Sequence, residues 1–380
     1  MREPTLPEEP GKVEPPPGAS VEAEGEKARG KIFPCPSCGA DLTFHIGQQN
    51  LRCPFCGYSQ ELAPGEGEVV AEQDLAERLR RLVELRRQGL TETLETETVE
   101  CEACGAAVEF KGPLTSTECA YCGSPVQRQN VHRSQTRMPV DGVVPFQVER
   151  RQAQENLDRW LKSRWFAPNA FKKRGLEGKF NGVYLPFWTF DAMAFCRYRG
   201  ERGDERIEVR GSGNDRRRHT VVDWSPASGQ FQRFFDDLVV AANRSLSRAY
   251  LAKLEPWPLE MTRPFTEELL AGYLAQTYEV GLEEAFPLAE REMEAWLRSE
   301  AARRIGGDRQ RIHHLEKSFS ALTYKHLLMP VWLMSYRYKG RPYQVLVNAA
   351  SGEVFGERPY SVVKIVLLIL AVLLVGYLFS

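Results

Sequence analysis

The sequence predicts a multidomain chain: two tandem zinc ribbons (small β units), a duplicated α+β domain, and one C-terminal transmembrane helix. Three observations carry that expectation. Eight of the nine cysteines fall in four C-x-x-C pairs, a weaker internal repeat runs through the middle, and an apolar run occupies the C-terminal end. A length of 380 residues leaves room for two or three domains, each with its own core. The net charge of −1 gives no overall attraction to nucleic acid or anionic lipid.

Residues 1–30 hold six prolines and seven glutamates without an apolar run, which predicts a disordered acidic tail rather than a signal peptide. The first ribbon covers residues 31–62, where Cys35-Pro-Ser-Cys38 is followed, at hairpin distance, by Cys53-Pro-Phe-Cys56. The second covers residues 99–128, where Cys101-Glu-Ala-Cys104 is followed at the same interval by Cys119-Ala-Tyr-Cys122. The single shift that carries Cys35 onto Cys101 superposes all four pairs, and it also places Gly39, Phe44, Phe55 and Gly57 on Gly105, Phe110, Tyr121 and Gly123. One ribbon has been duplicated.

Metal chemistry asks for this spacing. Two residues between cysteines let a tight turn aim both sulfurs at one ion, and the glycine that follows permits a positive φ where the chain folds back. The interval between pairs suits a short hairpin that returns the second knuckle to the first. Phe44 and Phe110 are the expected apolar plugs of cores too small to stand without metal. Pairs this close are poor disulfide candidates, and thiolate ligands need a reducing compartment, which places the bulk of the chain in the cytoplasm. Four thiolates also suit iron in a rubredoxin-like site. A tetrathiolate shell leaves no open position for a substrate, so two structural Zn2+ sites are expected and not a catalytic one. Charge argues against phosphate binding. Residues 31–60 carry Lys31 and Arg52 against Asp41, and residues 99–126 carry Glu100, Glu102, Glu109 and Glu118 against Lys111.

Residues 63–98 read as a helical linker, with Leu75, Leu79, Leu82, Val83 and Leu85 on one face and Arg80, Arg81, Arg86 and Arg87 solvated. Residues 139–359 read as the duplicated α+β domain. Ala153, Leu157, Trp160 and Leu161 match Ala289, Met293, Trp296 and Leu297 at one constant shift, on one helical face in each copy. Each helix precedes a β-like segment, Leu185-Pro186-Phe187-Trp188 or Met329-Pro330-Val331-Trp332, and then an Ala-Ser-Gly turn at 227–229 or 350–352. Residues 331–338, 343–347 and 353–355 read as a three-strand meander. Trp160, Trp188, Trp296 and Trp332 are expected as core anchors. Residues 200–219 read as an inserted, solvated loop, and Cys196 as a buried thiol.

No phosphate-binding G-x-x-x-x-G-K-[ST], no H-E-x-x-H and no G-x-S-x-G occurs, so no catalytic or cofactor-binding residues are predicted and the chain is read as a non-enzyme. Residues 361–380 are read as a transmembrane anchor, with Lys364 snorkelling to the interface. Arg358 and Lys364 on the N-terminal side of the apolar run set the orientation, giving a single-pass cell-membrane protein with its bulk cytoplasmic.

The paired ribbons, the two Pro-x-Trp segments and the run from Leu327 to Asn348 (LLMPVWLMSYRYKGRPYQVLVN) resemble one family. These are the bacterial membrane-anchored proteins with a TFIIB-type zinc ribbon, often labelled primosomal protein N′, superfamily II helicase. The helicase label does not transfer, because this chain has no phosphate-binding loop. What the resemblance implies is a membrane-anchored accessory protein whose relatives are associated with SPFH (flotillin-like) and phage-shock-type membrane-stress proteins. The expected function is therefore a cytosol-facing adaptor that recruits or scaffolds proteins at a membrane, without a small-molecule substrate. The alternative is a membrane-tethered nucleic-acid-binding factor.

Overall fold

The computed structural model describes residues 29–31, 33–62, 70–88, 97–101, 107–110, 114–118, 125–128, 138–168, 179–210, 217–244, 246–338 and 341–378. Close to its start lie β1 (Arg29–Lys31) and the strands β2 (Thr43–His45), β3 (Asn50–Arg52) and β4 (Ser59–Gln60), the last three forming a separate antiparallel sheet. Next come β5 (Gln73–Asp74) and helix α1 (Leu75–Arg87), where the Asp74 carboxylate caps the helix by accepting from the Glu77 N–H at 2.7 Å. Strands β6 (Glu97–Cys101), β7 (Ala107–Phe110), β8 (Leu114–Glu118) and β9 (Pro125–Arg128) form two antiparallel hairpin pairs. β1 joins them, and β8 ties them to the main sheet through β14 (Leu274–Gln276).

The body is built on three unusually long strands. β10 (Gly142–Val143) and helix α2 (Arg150–Ser163) lead into β11 (Lys179–Arg210) and β12 (Arg217–Ala241). A short helix α3 (Arg248–Leu251), β13 (Arg263–Pro264) and β14 then precede helix α4 (Leu282–Ile305). The chain continues through β15 (Arg309–Tyr338), β16 (Arg341–Asn348) and β17 (Val354–Gly356), and α5 (Val362–Leu378) follows. β11 pairs antiparallel with β12 on one side and with β15 on the other. The C-terminal part of β15, β16 and β17 form the expected meander.

This architecture corrects the duplicated α+β domain. The described chain is mostly β-sheet with few helices, and the two Pro-x-Trp segments do not found two similar halves. They lie near the start of β11 and near the end of β15 and pair with each other, Tyr184 opposite Pro330 and Pro186 opposite Leu328. Proline removes a donor from the ladder but keeps its carbonyl, and Pro186 O and Pro330 O accept from the amides of Ala242 and Ala349, each at 3.0 Å. The tryptophans then reach across the sheet: Trp188 Nε1 donates to Val280 O just before α4, and Trp332 Nε1 donates to Val148 O just before α2, both at 2.8 Å. The matched helix faces also diverge. Trp160 is 9% exposed on α2, but Trp296 is 38% exposed on α4, where Ala289, Met293 and Leu297 make the buried stripe.

Two readings of local structure change as well. Ala227 to Gly229 is not a turn but part of β12, with Ala227 opposite Gly200. Residues 200–210 and 217–219 are strand rather than loop, so β11 and β12 extend as a two-stranded arm beyond the end of α4. The strands bend at bulges beside Asp191 and Gly200, and Asp237 (φ 50°) and Ala321 (φ 48°) take left-handed conformations on either side of the first bulge. Buried Asp191 satisfies this irregular point by accepting from the Asp237 N–H at 2.5 Å and the Thr323 hydroxyl at 3.1 Å. On the three-stranded part of the sheet that precedes the arm, Ala192, Ala194 and fully buried Cys196 are small enough to let α4 pack closely.

The transmembrane anchor over 361–380 and the single-pass cell-membrane location are corrected too. Among the described residues no helix is long and apolar enough to cross a membrane. α5 has 17 residues, roughly 26 Å of helix against the roughly 30 Å of a hydrocarbon core. Lys364 does not extend toward an interface. Its ammonium donates to the carbonyls of Trp165 (3.1 Å) and Ala167 (2.9 Å), tying the first turn of α5 to the end of α2.

Candidate metal centre

Two backbone turns of the same form build the site. In the first, the Gly39 N–H returns to Cys35 O at 2.8 Å and the Cys35 N–H bonds Ala40 O at 2.6 Å. In the second, the Gly57 N–H returns to Cys53 O at 3.1 Å and the Cys53 N–H bonds Tyr58 O at 2.8 Å. Gly39 (φ 74°) and Gly57 (φ 76°) occupy the left-handed region that the fold-back requires. The β2–β3 hairpin, with Phe44 opposite Leu51, spaces the two turns so that their sulfurs face one another.

The Sγ atoms of Cys35, Cys38, Cys53 and Cys56 all lie within 4.8 Å of one another, and this cluster can hold a metal ion. The Cys35–Cys56 and Cys38–Cys53 sulfur pairs are 3.5 Å apart. A tetrahedral ion with sulfur ligands at about 2.3 Å needs sulfurs about 3.8 Å apart, so the spacing fits a four-thiolate site. The first cysteine of each pair is buried and the second exposed. Backbone amides supply the outer shell: the Tyr58 N–H points at the Cys56 sulfur and brings its pKa down to about 6, and the Cys56 N–H lowers that of Cys53. At Cys38 the Ala40 amide pulls the same way, but hydrogen bonding to the other sulfurs outweighs it and raises the thiol to about 12. Four crowded sulfurs cannot all ionise unaided; a cation at their centre is what lets them do so.

The hairpin does not stand apart from the body. Phe44, Leu42 and Leu51 share one core with Val140, Phe146, Leu269 and Leu270. The Phe44 N–H bonds Ala271 O at 3.0 Å, and Gln49 Nε2 bonds Phe146 O at 2.9 Å. Phe44 is thus a docking residue as well as the plug that the sequence suggested. At the opposite end the knuckle is bare: Phe55, beside Pro54, is 82% exposed.

Of the second predicted site, Cys104, Cys119 and Cys122 lie outside the described residues, as does Tyr121, and Cys101 ends strand β6. The surrounding strands keep the register of the first hairpin. Leu51 pairs with Gln60 and Arg52 with Ser59 in the first; at the equivalent positions of the repeat, Thr117 pairs with Val126 and Glu118 with Pro125. The features that sequence reasoning missed are the amide donors at Ala40 and Tyr58 and the docking contacts of Phe44 and Gln49. The amides were foreshadowed by the glycines after each pair, but nothing local announced the docking.

Comparison with curated proteins finds similarity to the uncharacterized protein YdjG of Bacillus subtilis (strain 168), at 24% identity over 342 residues, covering 87% of this chain and 90% of that protein. No protein-family model matches the chain. No solved structure matches it.

Proposed function

We propose that this chain is a zinc-ribbon adaptor, in which metal-fixed knuckles present aromatic side chains to a protein partner. Zinc held by Cys35, Cys38, Cys53 and Cys56 has no open coordination position and serves structure alone. In this reading a second zinc is held by Cys101, Cys104, Cys119 and Cys122. The observation that carries the proposal is Phe55, exposed at the tip of the Cys53–Cys56 turn, which a bound metal would hold rigid, while the other end of the hairpin is anchored in the body. A rigid aromatic anchor of this kind dominates small interfaces, because little conformational freedom is lost when it is buried. Partners of the flotillin-like and phage-shock type, named by the family resemblance, are the first to test.

The test is pairwise binding to a purified candidate partner, measured with the full chain and with Phe55→Ala. The substitution should weaken binding by at least tenfold and leave metal content and thermal stability unchanged. A Phe55→Ala protein that binds normally, or one that loses its metal, would refute the ribbon-docking reading. His45 and Arg52 border the same concave surface as Phe55, and an aromatic beside basic groups is the observation that favours nucleic-acid binding as the second reading. That reading requires a steep loss of affinity for single-stranded DNA or RNA as salt rises.

A further inference from the structure

Far from the cysteines along the sequence, a cleft opens between the C-terminal end of α2 and the β16–β17 edge. Trp160 and Arg164 form one wall, Tyr343 and Phe355 the other, and Arg358 and Tyr360 close it after β17. Among the described residues the cleft gathers more donors than acceptors. Trp160 is nine-tenths buried, and its Nε1–H has no acceptor among the described residues; the buried Nε of Arg164 has none either. Neither Arg164 nor Arg358 forms an ion pair with a described residue, although exposed arginines elsewhere in the molecule, such as Arg206 and Arg309, do. Glu357, the one acid among the described residues of the lining, accepts from the Tyr250 hydroxyl at 2.9 Å.

Leaving two guanidinium groups without counter-charges in one partly dry cleft is costly. Burial first, and then the like charge of Arg358, hold Arg164 below its ordinary pKa. The stacking of the Arg164 guanidinium over the Trp160 ring, 4.8 Å from its centroid, fixes the group's position but leaves its edge free to donate. An anion between the two arginines would satisfy both, and a dianion would neutralise both charges where a carboxylate would neutralise one. Phosphate also matches the forked geometry of guanidinium donors. The rest of the lining is largely aromatic, with the Tyr250 and Phe355 rings tilted at 51° and 5.4 Å between centroids, and these ring faces suit a planar group attached to the phosphate.

We propose that this cleft binds the phosphate monoester of a planar aromatic ligand, with Arg164, Arg358 and the Trp160 N–H on the phosphate and the tyrosine-lined walls on the ring. The site shares no residue with the metal centre, so it stands or falls independently of the adaptor reading.

Titration calorimetry of the full chain with phenyl phosphate, inorganic phosphate and phenol, at fixed ionic strength, tests the proposal. Phenyl phosphate should bind saturably and more tightly than either of its fragments. Arg164→Gln and Arg358→Gln should each weaken it at least tenfold, and Trp160→Phe a few-fold, while Arg159→Gln on the exposed side of α2 changes nothing. Arg358 lies outside the helix, so its variant reads the site even if Arg164→Gln disturbs α2. The proposal is overturned if phenyl phosphate fails to saturate at millimolar concentration, if both arginine variants bind it like the wild type, or if phenol binds equally well.

Discussion

Replacing Trp332 by phenylalanine tests whether the molecule is held together across the sheet. The indole is 5% exposed, packs against Phe146 and Phe180 at centroid distances of 5.2 and 5.3 Å, and donates from Nε1 to Val148 O at 2.8 Å. Phenylalanine keeps an aromatic ring but removes the donor. The lost hydrogen bond and the stranded Val148 carbonyl together cost about 1–3 kcal/mol, and the partly filled space adds about 1 kcal/mol. A loss of about 2–4 kcal/mol is expected for Trp332→Phe, and a similar loss for Trp188→Phe, whose indole N–H bonds Val280 O in the same way. Trp296→Phe is the control. That indole is 38% exposed, with Arg233 stacked 4.9 Å from its centroid, and its replacement should cost less than about 1 kcal/mol. Urea denaturation followed by circular dichroism measures all three. Hydrogen exchange at the first turn of α2 shows whether the Trp332 effect is transmitted to the helix that follows Val148. If Trp296→Phe costs as much as Trp332→Phe, the expectation that all four tryptophans are core anchors is right and the packing argument is wrong.

Metal removal should expose the uneven acidity of the cysteines. In reduced, metal-free protein at pH 7, iodoacetamide should label Cys56, with its pKa near 6, well before Cys38, raised to about 12, and mass spectrometry of the peptides reads the order. Metal-loaded protein should protect all four, and equal labelling with and without metal would refute the site. Because the folded pKa of Cys56 lies below its ordinary value, its ionisation favours the folded hairpin fully above about pH 9, and that contribution is lost as pH falls through about 6. Asp141 has the opposite sign. Burial raises its pKa from 3.8 to about 6, against the lowering effect of the His326 N–H that it accepts at 2.7 Å. Its protonated form therefore favours the fold below pH 3.8, and the benefit disappears as pH rises through about 6. Asp141→Asn, which keeps an acceptor, should stabilise the protein at pH 7.5 by on the order of 2 kcal/mol and flatten the pH dependence of denaturation across that window; an unchanged pH profile would refute the assignment.

The metal cluster was legible because its chemistry is local. Two-residue spacing and a following glycine determine the turn and the direction of the sulfurs within one short stretch of chain, whatever the rest of it does. The meander of β15 to β17 was legible for the same reason, since Gly352 (φ 88°) marks its turn. The long strands were not. Along β11 one face alternates cleanly through Ala192, Ala194, Cys196 and Tyr198, but Pro186, Asp191 and Gly200 interrupt the pattern, and each is ordinarily a reason to end a strand. They are tolerated because neighbouring chains meet their needs: Ala242 bonds the Pro186 carbonyl, Asp237 and Thr323 occupy the Asp191 carboxylate, and Arg311 O approaches so closely that a Cβ on Gly200 would stand 2.0 Å from it. Those compensations come from distant parts of the sequence. The same limit explains the helix repeat. Its spacing correctly selected the buried stripes of α2 and α4, but which of two equivalent tryptophans is covered depends on the element packed over it. At Trp160 the cover is the β16–β17 edge; at Trp296 the Phe235 ring and the Arg233 guanidinium lie against the indole and leave it partly open.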